Sequence, residues 1–447
     1  MSRRKFLKNT SIVGGGLVLG ASSLSAKSYS NILGANDRIN FAVAGLRSRA
    51  YAHLEGIANC KNAALTHICD VDMRYEQKFS ADVKKQLGNT PKAIKDFRKL
   101  VEDKDIDAIT IATPEHWHAP MSIMGLQNGK HIYVEKPCSH NPREGELLVE
   151  AQKKYGKLVQ MGNQQRSSGH TIKMINKIRN GFIGKPYYGK AWYSNNRKSI
   201  GIGKVVPVPE YLDWELWQGP APRVEYKDNF HPYNWHWFWN WGTGETLNNG
   251  THEVDVCRWA LGVGFPNKVT SNGGRYHFYD DWEFYDTLHT SFEYEDDKMV
   301  TWEGKSCNAT TFYNRGRGSI IYGTKGSVLI DRSSYIVFDV DGKIIEEYDE
   351  KKLAKENGQT ATTDLVGIDK LTIDHFKNFT NGIREGEKLN SPIDEGHISV
   401  AILQLSNVAW KLGRQLYLNP ENGHIQKDSE AEKMWSREYE PGWELKV

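Results

Sequence analysis

Between residues 39 and 134, short apolar runs alternate with stretches of helical spacing, and this alternation restricts the possible folds more than any other feature of the chain. Ile39–Gly45 reads as a buried strand meeting a glycine, and helical spacing follows from Arg49 to Ala58. Ala64–Asp70 and Asp105–Pro114 read as the next strands, Pro120–Asn128 as a helix stopped at Gly129, and His131–Val134 as a further strand. Strand and helix in regular succession call for parallel strands joined by crossover helices. The chain is therefore predicted to be α/β, opening with a doubly wound parallel sheet of Rossmann type. Ligands of such sheets sit beyond the carboxyl ends of the strands, where Thr113, Pro114, His118, Glu135 and Lys136 fall. Pro137 has no N–H to donate and keeps the residue before it extended, so the last strand should stop near Lys136 and push its ammonium past the sheet edge.

A strand, a tight turn and a helix N-terminus make a site for a dinucleotide pyrophosphate, because unpaired N–H groups and the helix dipole both face the anion. The complete G-x-G-x-x-G fingerprint needs three glycines, and this chain has Gly45, Arg47 and Ala50 at those positions. Taken alone, the turn fits a plain strand-turn-helix equally well. The second strand ends in Asp70, at about the 20-residue spacing expected of the acid that holds the adenosine ribose. An acid there argues for NAD, with NADP the lesser expectation, although the Arg47 guanidinium can also meet a phosphate and Asp70 can equally be a helix cap. The expected cofactor contacts are Gly45, Arg47, Asp70, Thr113, His118, Glu135 and Lys136.

At 447 residues the chain exceeds one ordinary core, so a first domain over 35–157 and a second over 158–447 are expected. Leu158–Met161 is strand-like and leads into the polar cluster Gly162–Arg166. Runs at Tyr187–Tyr193, Leu288–Tyr294, Met299–Trp302, Ser319–Tyr322 and Val328–Ile330 predict an α+β domain with one large, mostly antiparallel sheet. From Leu371 the chain returns to helix, with amphipathic segments at Ile373–Phe379 and Gly396–Leu416 and with Asp394–His397 in the loop before the second. Between these parts, Asn229–Gly242 carries Trp235, Trp237, Trp239 and Trp241 among Asn and His. Sugar rings pack their C–H faces on aromatic planes while their hydroxyls seek polar side chains. Packing is the simpler reading of any one ring, but the run should present at least one to a sugar, with His236 and Trp237 the candidates. Gly242–Asp255 then enters a helix running to Leu261, on which His252 and Asp255 share a face.

Composition narrows the partners. Formal net charge is +3, and no dense basic block follows the first few residues, so nucleic acid is not expected. The five cysteines, Cys60, Cys69, Cys138, Cys257 and Cys307, are scattered without CxxC spacing, which predicts neither a disulfide framework nor a metal. Residues 1–34 read as an address: Ser2-Arg-Arg-Lys-Phe-Leu-Lys8 precedes a glycine-bearing apolar run and small residues to Ala26, the pattern of a twin-arginine export signal. That run is shorter than the roughly 20 apolar residues of a spanning helix. A periplasmic or otherwise exported protein, without stable membrane insertion after processing, is expected.

Ala112-Thr-Pro-Glu-His-Trp-His118 and Gly129-Lys-His-Ile-Tyr-Val-Glu-Lys-Pro137 together resemble the paired motifs of the Gfo/Idh/MocA family, the glucose-fructose oxidoreductase and inositol dehydrogenase group. The resemblance extends over nearly all of residues 38–417. It implies NAD-dependent chemistry on a sugar, with Lys136 beside the nicotinamide and active in proton transfer. Gly242–Asp255 resembles the family's G-G-x-L-x-D-x-G-x-H-x-x-D motif, which makes His252 the second catalytic candidate. A Gln-Arg segment like the one ending at Arg166 lies near the nicotinamide in family members, while an interdomain loop is the equal alternative here. The large sheet of the family walls the substrate site on one face and meets another subunit on the other, which implies a homo-oligomer.

One departure matters. Four residues before His252 the family's dehydrogenases commonly have an aspartate, and this chain has Asn248, which can bind a sugar but cannot carry a proton as a carboxylate does. The expected substrate contacts are Arg166, His236, Trp237, Asn248 and Asp255. The first functional expectation is an NAD(P)-dependent oxidoreductase acting on a sugar or sugar derivative through a tightly bound nicotinamide. The second is a redox-neutral NAD-dependent glycosidase, which oxidises the ring, eliminates the aglycone, adds water and returns the hydride. Export away from a free nicotinamide pool and Asn248 favour the second, whereas glycosidase members tend to alter the lysine motif that is intact here. A non-catalytic sugar-binding protein is the third, and intact Lys136 and His252 speak against it.

Overall fold

Ile39–Ala44 (β1) is apolar at every position but Asn40 and buried at every position but that one, as a strand must be when helices cover both faces of its sheet. The computed structural model describes residues 38–350, 352–353 and 369–447, so the expected export signal lies outside the described residues. After β1 come α1 (Ser48–Ala58), β2 (Ala63–Cys69), α2 (Met73–Leu87), the short β3 (Lys92–Ala93) and β4 (Ala108–Ile111). Then follow α3 (His118–Gln127), β5 (His131–Val134), α4 (Pro142–Tyr155) and β6 (Val159–Met161). The six strands pair in parallel in the order β3-β2-β1-β4-β5-β6, the doubly wound arrangement that was expected. Side chains fix the helix ends: Asp72 and Asn141 accept N–H bonds in the first turns of α2 and α4, and Gly88 and Gly156 end them in the left-handed conformation.

Val159–Met161 does not open the second domain; it is fully buried and pairs with β5 as the last strand of the first sheet. After helix α5 (Gly169–Arg179), the second sheet is built from β7 (Pro186–Ser194), β8 (Lys268–Gly274), β9 (Thr287–Tyr294), β10 (Lys298–Lys305) and β11 (Arg317–Gly323). It continues through β12 (Gly326–Ile330), β13 (Ser334–Phe338) and β14 (Ile344–Asp349), with β15 (Leu416–Tyr417) at the far edge. The order is β14-β13-β12-β11-β7-β10-β9-β8-β15, and among these pairings β7 with β10 alone is parallel. Helix α6 (Gly250–Leu261) packs across β7, β10 and β11, which brings the His252 turn to the sheet face nearest the first domain's strand ends.

Two closing helices, α7 (Lys370–Glu385) and α8 (Ile393–Leu412), return to the first sheet. Phe376 of α7 stacks on Tyr133 of β5 with ring centroids 4.3 Å apart, and Phe376 and Phe379 both lie 6.4 Å from Phe41 of β1. Asp394–His397, expected in a loop, forms the first turn of α8, where Asp394 and Glu395 complement the positive end of the helix dipole. Ile39–Val447 is thereby a single compact unit. Phe376→Ala should cost about 3–5 kcal/mol, the usual consequence of emptying a buried aromatic site. Urea unfolding checks this, with a midpoint far below that of the parent expected.

Candidate active site

The carboxyl ends of the first sheet open into a cavity of about 680 Å³ that continues to the face of the second sheet. At one end lies the β1–α1 turn. Gly45 has φ +82°, and a Cβ there would stand 2.6 Å from the Ala112 carbonyl oxygen, so only glycine lets β1 and β4 approach this closely. Helix α1 has no side-chain cap and no acid in its first turn, which leaves its leading N–H groups for an anion. Asp70 reaches back to the turn and accepts N–H bonds from Leu46 at 2.7 Å and Asp72 at 2.9 Å. Burial pushes its pKa up to about 6, against the pull of those N–H bonds. Arg47 donates to the Pro232 carbonyl at 2.8 Å, tying the turn to the second domain. An open glycine turn, an uncapped helix end and a fixed carboxylate beyond them fit the pyrophosphate and ribose of NAD.

Just past the carboxyl end of β5, Glu135 accepts from Arg49 at 2.7 Å, His53 at 3.0 Å and Gln164 at 3.1 Å. Burial alone would raise its pKa, but Arg49 and His53 outweigh burial and hold it well below the usual carboxylate range. His118 stands between the carbonyls of Pro137 and Thr113, at 2.6 and 2.9 Å, and so joins the turns after β4 and β5. Lys136 crosses to the second domain, where its ammonium donates to the Asn248 carbonyl at 2.5 Å and to Asn248 Oδ1 at 3.2 Å. The Asn248 amide N–H₂ faces Glu245 at 3.4 Å, which orients its oxygen toward the lysine. Burial lowers the Lys136 pKa, with the charges of Glu115 and then Glu135 opposing it.

Glu115 is buried just after β4 and accepts from His236 at 3.1 Å and from the Thr243 hydroxyl. His252 lines the same cavity as Lys136, and among the described residues its ring has no hydrogen-bond partner. Burial, followed by the charges of Arg317 and Lys136, puts its pKa well below the ordinary value. At neutral pH the cavity therefore holds a neutral imidazole and a lysine readier than usual to release its proton.

Of the sequence-predicted residues, Gly45, Arg47, Asp70, Thr113, His118, Glu135, Lys136, His236, Asn248 and His252 meet around this cavity. Arg166, Asp255 and Trp237 do not. Arg166 and Asp255 form a two-bond ion pair at 2.7 and 2.8 Å, with Ser399 adding a 2.6 Å bond to Asp255, so they join the segment after β6 to α6 and α8. Both are almost fully buried, and a charge taken so far from water needs such a partner. Trp237 is 1% exposed and stacks on Trp282 at 3.9 Å. Trp235 takes the wall position instead, its ring 3.6 Å from that of His236. Sequence reasoning also passed over Glu115, Tyr193, Arg317 and Arg332, which all line the cavity. Only Glu115 had a signal, its place between Thr113 and His118 at a strand's carboxyl end.

Residues 39–163 match the model of the oxidoreductase family with an NAD-binding Rossmann fold, and residues 221–329 match the GFO/IDH/MocA C-terminal domain. The chain belongs to the Gfo/Idh/MocA family. Its NAD-binding domain ends after β6, in agreement with the sheet pairing. A Glycosyl hydrolase family 109 protein of Shewanella sp. (strain ANA-3) is 28% identical over 210 residues, 43% of this chain and 45% of that protein. An alpha-N-acetylgalactosaminidase of Shewanella oneidensis is 26% identical over 208 residues, with the same coverage. The chain thus spans less than half the length of these curated relatives. Levoglucosan dehydrogenase, solved with NADH and levoglucosan, superposes with a TM-score of 0.65 at 18% identity, covering 85% of this chain and 99% of that one. An NAD binding oxidoreductase from Klebsiella pneumoniae gives 0.65 at 16% identity, covering 85% and 98%. These structures share the two-sheet fold.

Two outcomes follow from the geometry. NAD affinity should fall as pH drops through about 6, because protonation removes the charge with which Asp70 accepts ribose hydroxyls; calorimetric titrations from pH 5 to 8 should flatten in Asp70→Asn. Arg166→Met strips the buried Asp255 of its two-bond partner and leaves it only Ser399 and the longer 4.0 Å contact with Arg258, which should cost up to about 3–5 kcal/mol in denaturant unfolding while the folded fraction keeps its NAD affinity.

Proposed function

We propose that the protein is an NAD-dependent oxidoreductase acting on a sugar or sugar derivative. The observation that carries this reading is the convergence of Lys136 and His252, from different domains, on one cavity next to the NAD turn. Bound NAD supplies the capacity to accept and return a hydride at a sugar carbon. The chain's own residues handle the proton. Lys136, held by Asn248 and lowered in pKa by burial, gives or takes the hydroxyl proton of the reacting carbon, and the neutral ring of His252 is the second acceptor. Glu115, braced by His236 and Thr243, is the acid that most favours a charged Lys136 and compensates from the first domain for the carboxylate absent at Asn248. The Trp235 plane and the polar atoms of Tyr193 and Asn195 are suited to a sugar ring and its hydroxyls.

A redox-neutral NAD-dependent glycosidase is the second reading, favoured by the named glycosidase among the curated relatives and by the amide at Asn248. Under either reading we take residues 1–34 as a twin-arginine export signal and the enzyme as an exported homo-oligomer, on the strength of the Arg3-Arg4 pattern and of family resemblance.

The test incubates purified protein with free sugars and nitrophenyl glycosides while following reduced-nicotinamide absorbance and aglycone release together. Net reduction without release is expected; release without net absorbance change would establish the glycosidase, and protein without NAD or affinity for it would exclude both. Lys136→Met should slow turnover about 10²–10⁴-fold with NAD still bound, and full activity in that variant would remove Lys136 from the mechanism.

A further inference from the structure

We infer that the cavity contains an oxyanion subsite centred on Arg332, and that the substrates are sugar acids whose carboxylate docks there. The inference rests on the reading that the cavity accepts a sugar, and it concerns residues that neither motif of the family resemblance covers. Arg332 lies in the turn between β12 and β13, which Asp331 fixes by accepting N–H bonds from Ser333 at 2.9 Å and Ser334 at 2.7 Å and a 2.5 Å bond from Arg315. The locked turn sends the Arg332 side chain into the cavity wall.

What distinguishes Arg332 is unspent hydrogen-bonding capacity. Its nearest acid is Asp369 at 3.8 Å, beyond hydrogen-bond distance. Asp369 is committed elsewhere, to the Thr372 hydroxyl at 2.6 Å and to Arg49 at 3.5 Å. Among the described residues the Arg332 guanidinium makes no hydrogen bond, although its side chain is only 22% exposed. The other arginines of the wall each make a hydrogen bond: Arg317 is clamped by Glu253 at 2.7 and 3.0 Å, Arg197 by Glu245 and Arg49 by Glu135, while Arg47 donates to the Pro232 carbonyl. A guanidinium partly removed from water keeps a favourable state only if its donors meet acceptors, and the open side here is the cavity. The planar fork suits a carboxylate, which takes two parallel N–H bonds, better than it suits a single hydroxyl.

The surroundings support the same assignment. Arg317, Lys136 and Arg332 all act on His252 in the same direction, disfavouring its protonated form, so these cations cluster around the imidazole. Burial is the larger cause of that lowering, and a substrate carboxylate among these cations opposes the part that they contribute.

The NAD-loaded protein is titrated calorimetrically with matched pairs, glucuronate against glucose and galacturonate against galactose, and the NAD affinity of each variant is measured separately. At least one acid should bind about 10- to 100-fold tighter than its neutral partner, the range of a charge-assisted bond. Arg332→Gln should abolish that preference with NAD affinity unchanged, and Arg332→Lys, which keeps the charge but loses the fork, should retain part of it and covers a folding defect in the glutamine variant. Equal binding of acid and neutral partners by the parent overturns the inference. So does a loss of NAD affinity in Arg332→Gln as large as the loss for the acid, which assigns Arg332 to the cofactor's phosphates. Because binding is read without turnover, acid preference in a protein that never reduces NAD would sink the redox reading and leave the subsite standing.

Discussion

The contact between the Lys136 ammonium and Asn248 is the interaction on which the site depends, because it joins the strand ends of the first sheet to the helix turn of the second domain. It is also the place where this chain departs from its family. A carboxylate at residue 248 would face the carboxylate of Glu245, which the Asn248 amide now approaches to 3.4 Å with its N–H₂ group. Glu245 is itself held by Arg197 and Asn249, so the amide is the group that satisfies lysine on one side and acid on the other. The result is a half-buried lysine fixed by neutral oxygens, with its largest charge compensation coming from Glu115.

That arrangement requires two domains held in register. The buried Arg166–Asp255 pair and the Phe376–Tyr133 stack both act at the seam, one by satisfying charges that cannot reach water and the other by apolar burial. The C-terminal segment adds a third tie. Tyr439 donates to Glu144 at 3.0 Å, Arg437 donates to the His116 carbonyl at 2.9 Å, and Trp443 packs edge-on against Trp117 at 5.2 Å. The last two of these contacts fall on the segment that carries Glu115 and His118, so they stiffen the first-domain wall of the cavity.

Much of this was legible in the sequence where the physics is local. Strand β5 appears over the residues expected, because an apolar run between glycine and proline leaves few alternatives. Gly45 and Asp70 could be placed for the same reason, since both sit at strand ends in a known succession. Strands β8, β13 and β14 went unread: Lys268–Gly274 carries two glycines and Ile344–Asp349 three acids, and both are strands only because the sheet supplies partners. The pairing of Arg166 with Asp255 was not legible, because a charged residue looks the same in sequence whether it meets a ligand or another charge 89 positions away. That Trp235 and not Trp237 lines the cavity was hidden for a similar reason. The short helical turn Asn234–Trp237 decides which ring faces the cavity, and nothing in the run itself marks that turn. Arg332 left no local trace, since its significance lies in the acceptors it lacks.

The central claim, that Lys136 is a half-buried lysine held by a neutral amide and readied for proton transfer, is tested most directly by measuring its own titration. Competitive amine labelling of the purified protein across pH, read at Lys136 by mass spectrometry, should give a pKa below the ordinary lysine value, and Asn248→Asp should raise it. A Lys136 that titrates at or above the ordinary value, or that does not respond to a carboxylate at residue 248, would contradict the account.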